Sequence, residues 1–466
     1  MRINICFAIV YVFLFSSCEK DDDFLPEIDN PTIENSLYIP PIIDANEQGP
    51  SITLTMQHGY TEFFEGTLSN TLGYNGKFLG PTIRVYKNQN ISLTTINNIG
   101  EPTTIHKHGL HVPGNVDGGP QQRIEPGASR TDVLQIRQEA STNWYHPHLM
   151  GTTAEHVFKG LAGLLIVEYD NSQSLGLPND YGVNDIPLII QDRLFVKDVM
   201  TYDGEMSNEG YFGNTILVNG TLGAFKEVPA SWVRIRILNG SNARFYNLSF
   251  QDNRNFQIIA TDGGFLNNPV PQKSLEVWPG ERFEILVDFS NSSNIKLVAN
   301  STNRGQNQEF DIIEFRPDNS IVSAGELPLN LNNIVPHNVS DVVNTRTFRL
   351  NMDGVEGGLM GINGLAMNRD VINEAVSLNE LERWIITSFD GKHPFHLHGA
   401  SFLIVSMDGG TVPLHEKGWK DVVKVNERAE ILVRLNHDAN DETPYMYHCH
   451  ILEHEDMGMM GQFTVK

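Results

Sequence analysis

The chain has 466 residues, a length suited to about three domains with substantial cores. Its 33 Lys and Arg against 57 Asp and Glu leave a formal net charge of −24, which argues against nucleic acid and anionic membrane surfaces as partners. Three cysteines, at 6, 18 and 449, supply no disulfide framework.

In chain order, residues 1–17 read as a signal peptide: Arg2 precedes an apolar run from Ile3 to Phe15 that is too short for an ordinary membrane span. Phe15-Ser16-Ser17-Cys18 resembles a bacterial lipobox, with Phe15 in place of the usual aliphatic residue. The resemblance implies a lipid on Cys18 and an exported outer-membrane lipoprotein that meets the membrane through that lipid alone. Whether it faces the periplasm or the cell surface stays open, because the acidic run Glu19 to Asp23 suits either. Residues 18–44 are acidic, aperiodic and Pro-containing, which predicts a flexible tether.

Beyond residue 44, short alternating segments bounded by Gly, Pro or Asn predict strands, for example Ile83-Arg84-Val85, Val233 to Ile237 and Glu430 to Val433. No long segment of helical period competes, so the chain reads as all-β, built of Greek-key β-sandwiches. One block recurs three times ahead of such a strand: Glu125-Pro126-Gly127-Ala128-Ser129-Arg130, Trp278-Pro279-Gly280-Glu281-Arg282 and Asn426-Glu427-Arg428. Three consecutive domains follow, over 45–170, 184–316 and 346–466, with linkers near 171–183 and 317–345.

The first and third domains each carry two His-x-His pairs: His106 with His108, His146 with His148, His396 with His398, and His448 with His450. The middle domain has Leu238-Asn239-Gly240 instead and reads as a spacer that lets the outer two meet. On a strand, residues i and i+2 share a face, so His448 and His450 address one centre and Cys449 another. Cys449, His454 and Met459 supply three of the four ligands of a blue-copper site, and a second His must come from the stretch His393 to His398. Ten of the 16 histidines fall in these motifs; His58, His111, His156, His337, His415 and His437 read as ordinary.

With all of these in place, residues 45–466 resemble the multicopper oxidases, the family of laccases, bilirubin oxidase and the bacterial copper efflux oxidase, the last being closest in the C-terminal third. The resemblance implies three cupredoxin-like domains and four copper ions. It makes His393, Cys449 and His454 the equatorial ligands of a type 1 copper with Met459 axial, and His106 and His396 the ligands of a type 2 copper. His108, His146, His148, His398, His448 and His450 would hold a type 3 pair. It further implies one-electron oxidation of a small phenolic or metal-ion reductant, through the edge of His454 or His393, coupled to reduction of O2 to water. Asp117 and Glu455 would serve as proton-handling carboxylates. An axial Met favours a modest potential, suited to easily oxidised phenols, metal ions or cuprous ion. Two departures stand out. The interval Phe348 to Ile362 is short and holds only Met352 and Met360 where the efflux oxidase has a Met-rich insertion, which predicts a more open type 1 edge. Lys107 stands where Trp is common, pointing away from the copper. A dedicated cuprous oxidase and a copper-free scaffold of the same fold are the competing expectations.

Overall fold

The computed structural model describes residues 26–169, 172, 174–203, 208–290, 293–303 and 306–466. The leader, Cys18 and the acidic run after it lie outside the described residues. Helices are short: among the described residues the α-helices are Ala45–Gln48, Gly114–Asp117, Thr153–Phe158 and Leu452–Asp456. Apart from three short 3-10 turns, the remaining regular structure among the described residues is strand, as the alternating pattern predicts.

Six main sheets pair into three sandwiches. The first is a sheet of Ile42–Asp44, Thr82–Tyr86, Gly163–Glu168 and Ser141–Tyr145 facing one of Thr67–Tyr74, Ser51–Phe64, Asn90–Asn98 and Ser129–Gln135. Between them lies an apolar core that includes Leu54, Met56, Val85, Leu93 and Leu165. The second sandwich is larger, with sheets of six and seven strands around Ile186, Val233, Ile235, Phe283 and Ile285. The third has two five-stranded sheets around Trp384, Phe395, Ile431 and Phe463. The recurring sequence block leads into the strands Ser129–Gln135, Arg282–Asp288 and Arg428–Arg434.

The tether expectation fails from Asp29 onward. Asp29 bridges Thr215, Asn35–Ser36 pairs in parallel with the edge strand Ala224–Pro229 of the second sandwich, and Ile42–Asp44 pairs with Thr82–Tyr86 of the first. The segment has no periodicity of its own because open sheet edges supply its backbone partners. Asn35 Nδ2 donates to Leu222 O at 2.8 Å, and Leu37 is buried in the second core.

Candidate metal centres

Cys449 closes the strand Tyr445–Cys449, and His393 opens the antiparallel neighbour His393–Leu397, with Phe395 opposite Cys449. The helix Leu452–Asp456 then turns His454 back toward the sulfur. Cys449 Sγ lies 3.4 Å from His393 Nδ1 and 3.6 Å from His454 Nδ1, and the two nitrogens are 3.3 Å apart. Donor atoms about 2 Å from a common ion, spread around it, stand at just such spacings. Two backbone bonds hold the fourth expected ligand beside this trio: Cys449 N–H donates to Met459 O at 3.1 Å, and Met459 N–H to His454 O at 2.9 Å. Burial pushes the Cys449 thiol up, partly offset by the Ile451 N–H that points at its sulfur from 3.4 Å, and burial beside His393 brings His454 down to about 3. A neutral imidazole with a soft sulfur suits copper, whose binding displaces the thiol proton.

The expected open edge is not found. His393 and His454 are buried, at 0% and 1% exposure. His454 Nε2 donates to Asn208 O of the second domain at 2.9 Å, and Met352 lies against Gly391 beside His393. A neighbouring domain thus supplies cover that the short third-domain interval lacks.

On the other side of Cys449, the four His-x-His pairs converge across the seam between the first and third domains. Only the two third-domain pairs begin on regular strands. His106 and His146 sit on an isolated antiparallel bridge, exchanging backbone bonds of 2.7 and 3.1 Å. His148, His398 and His448 point their Nε2 atoms at one another, with His448 Nε2 3.0 Å from His148 and 3.2 Å from His398. His108 Nδ1 and His146 Nε2 approach to 3.4 Å, with the His450 ring centroid 5.0 and 5.5 Å from theirs. His106 Nε2 faces His396 Nε2 at 3.5 Å.

On six of the eight rings the outward nitrogen is tied down, which aims the lone pair inward. His106 Nδ1 donates to Asp117 O, His146 Nδ1 to Pro147 O, His396 Nδ1 to Asp421 O, His398 Nδ1 to Asp117 Oδ2 at 2.7 Å, and His448 Nδ1 to Cys449 O. His108 is turned the other way: its Nε2 donates to Asp421 Oδ1 at 3.0 Å, leaving Nδ1 for the cluster. His450 has no hydrogen-bond partner for either nitrogen. Burial, reinforced by neighbouring imidazoles, depresses His108, His146, His148, His396 and His448 well below the ordinary value, and lowers His398 to about 4 and His450 to about 3. Neutral imidazoles whose lone pairs meet with no proton between them require a cation, so the donor set fits copper ions.

Two carboxylates border this cage. Burial opposes ionisation of Asp117, but His398 and His106 outweigh it and hold the carboxyl below the usual range. Burial next to Asp456 pushes Glu455 well above that range, and its two oxygens lie 3.3 Å from His148 Nδ1 and His448 Nδ1.

Several neighbours were invisible to motif reading. Trp144 stacks on His146 with centroids 4.0 Å apart; Asp421 holds His108 and His396; Gly280 and Arg282 reach the seam from the middle domain, which is therefore more than a spacer. The block containing Gly280 and Arg282 marked them as repeat residues but gave no sign of what they touch. Lys107 points away from the cage and is fully buried, donating to Asp132 and to Val116 O. The six remaining histidines stay outside both centres: His58 bonds Ile99 O, His111 bonds Ser401 and His156 bonds Thr103, while His337 packs edge-on against Trp419 and His415 lies near Glu416; His437 joins neither ligand group.

Comparison with known proteins agrees with this geometry. Three profiles described as multicopper oxidase match residues 55–172, 184–313 and 334–466. The chain is 37% identical over 461 residues to a multicopper oxidase of Staphylococcus haemolyticus, covering 97% of this chain and 94% of that one. It is 36% identical over 446 residues to the cell division protein FtsP of Dickeya dadantii, covering 93% of each. Among solved structures, a bacterial laccase-like multicopper oxidase CueO from Ochrobactrum sp. superposes with a TM-score of 0.87 at 37% identity, over 92% of this chain and 100% of that one.

Proposed function

The chain belongs to the multicopper oxidase family, and on that premise we propose that it oxidises a small reductant by single electrons at a type 1 centre. Four such events reduce one O2 to water at a trinuclear centre. The carrying observation is the position of Cys449: its sulfur meets His393 and His454, while its chain neighbours His448 and His450 enter the eight-imidazole cage. Copper, when bound, supplies the one-electron couple at the first centre and the dioxygen chemistry at the second.

The protein does the rest. His393, Cys449 and His454 would hold one ion, with the Met459 thioether as a further ligand. His106 and His396 would hold the second, with His148, His398 and His448 around the third and His108, His146 and His450 around the fourth. Cys449 links the centres through its own backbone, so no reductant needs access to the buried cage. Glu455, whose carboxyl burial pushes well above the usual range and whose oxygens lie 3.3 Å from two cage imidazoles, is placed to deliver protons; Asp117, held below that range by His398 and His106, anchors His398. Their separate environments assign the two carboxylates different tasks.

Phenols and aromatic amines are the proposed reductants, with metal ions as the second class. One feature favours cuprous ion within that class: Met352 N–H donates to Asp390 Oδ2 at 2.7 Å, and Asp390 Oδ1 lies 3.8 Å from His393 Nε2, placing a thioether and a carboxylate at the same ring edge. Relative rates on a phenol and on Cu(I) decide between them. A copper-free scaffold would have no use for twelve intact ligand positions. Copper analysis, the blue band, the near-ultraviolet type 3 shoulder and O2 consumption test the whole reading; markedly fewer than four copper ions, or no oxygen uptake with a good reductant, would sink it. Export with a lipid on Cys18 is part of the proposal, and unchanged membrane attachment of Cys18→Ala would remove it. No helix among the described residues is long and apolar enough to cross a membrane.

A further inference from the structure

We propose that the middle domain positions the trinuclear ligands, with Arg282 acting through Asp421 on His108 and His396; the inference rests on the trinuclear reading above. Arg282 opens the strand Arg282–Asp288 and is wholly buried. Its five N–H groups all have acceptors. Nε donates to Thr142 O of the first domain at 3.0 Å. Nη1 donates to Gly280 O at 3.0 Å and Asp421 Oδ1 at 2.6 Å, and Nη2 to Asp421 Oδ2 at 2.5 Å and Asp262 O at 3.3 Å. One guanidinium therefore pins three domains together at Asp421.

Asp421 in turn holds one ligand from each outer domain. Its carboxylate accepts from His108 Nε2 at 3.0 Å, and its backbone carbonyl accepts from His396 Nδ1 at 2.8 Å. The first of these bonds is what turns His108 so that Nδ1 faces the cage. A carboxylate held by a planar fork cannot rotate, whereas one held by a point charge can. The nearest arginines in the other two copies of the recurring block do nothing comparable. Arg130 and Arg428 are partly exposed and reach carboxylates two residues away on their own strands, Asp132 and Glu430. The middle domain thus lacks ligands of its own but carries a fully engaged arginine aimed at ligands of its neighbours.

Two variants test this. Arg282→Lys keeps the charge and loses the fork. Arg282→Met combined with Asp421→Asn removes the pair without stranding a buried carboxylate. In both, copper-loaded protein is expected to keep the blue band per mole of chain, to lose the near-ultraviolet type 3 band, and to yield cluster copper to a chelator about 10- to 100-fold more readily than the wild type. The melting temperature of the copper-free double variant should stay within a few degrees of wild type. Retention of the type 3 band and of chelator resistance in both variants would overturn the proposal. So would equal loss of blue and type 3 bands, or of soluble protein, since the pair would then merely hold the fold. A wild-type protein that binds fewer than four copper ions would instead indict the trinuclear reading, whatever Arg282 does.

Discussion

Gly280→Ala separates backbone strain from disturbance of the cage, because the recurring block provides its own control. Gly127 and Gly280 occupy equivalent places and both have positive φ, +75° and +82°. A Cβ there costs about 1–2 kcal/mol in either case. At Gly127 the new methyl meets nothing within 4 Å. At Gly280 it would lie 2.9, 2.9 and 3.0 Å from three atoms of the His450 ring, whereas ordinary contact begins at 3.4 Å. The ring would have to retreat by about 0.5 Å, as much as a ligand position tolerates. It has little room, with His108 and Trp144 rings 5.0 and 5.5 Å away. Overpacking of this kind adds about 1–3 kcal/mol. Gly127→Ala is thus expected to cost about 1–2 kcal/mol and Gly280→Ala about 2–5 kcal/mol. At about 2–4 °C for each kcal/mol, the difference is readable by calorimetry of the copper-free protein. Copper analysis should show a cluster deficit for Gly280→Ala alone, with the blue band intact in both. Equal melting temperatures and equal copper counts for the two variants would refute the steric argument.

Copper removal should lower the melting temperature, since four ligands on each side tie the first domain to the third; ions at a thousand times their dissociation constant contribute about 4 kcal/mol, and an unchanged transition on chelation would count against the seam. Glu455→Gln should slow O2 reduction about 10²-fold or more while anaerobic reduction of the blue centre keeps its rate, as stopped-flow spectroscopy can follow. The copper-free protein should be acid-sensitive: imidazoles depressed to about 4 or 3, such as His398 and His454, are neutral in both folded and unfolded chains above pH 6.5. As pH falls below 6.5 the unfolded chain takes protons first, so stability drops until the folded values are reached, by up to about 3 kcal/mol for a ring shifted to 4. Denaturant midpoints that do not fall between pH 7 and pH 4 would contradict this. Lys107→Met should destabilise by about 1–3 kcal/mol, since it takes from buried Asp132 one of two cations and leaves it Arg130, and a second change of Asp132→Asn should recover part of it.

Sequence spacing revealed the ligands because copper chemistry confines them to short motifs, and the strands expected around Ile83, Val233 and Glu430 form, although Arg234, Arg236 and Glu430 on them are buried rather than exposed. What spacing could not show is contact between distant parts of the chain. Asp421 lies 313 residues from His108, and Arg282 lies 139 from Asp421; neither belongs to a ligand motif. The cover over His454 likewise comes from Asn208, a residue with no signature. The segment from Asp29 to Asp44 looked unstructured because a strand that borrows all its partners needs no hydrophobic period of its own.

That borrowed segment has a consequence for assembly. Asn35–Ser36 seals the rim of one sandwich and Ile42–Asp44 the rim of another, although Ala224, its partner in the former, lies far later in the chain. Clipping this segment away would bare two unpaired rims at once, inviting self-association rather than a simple loss of heat resistance.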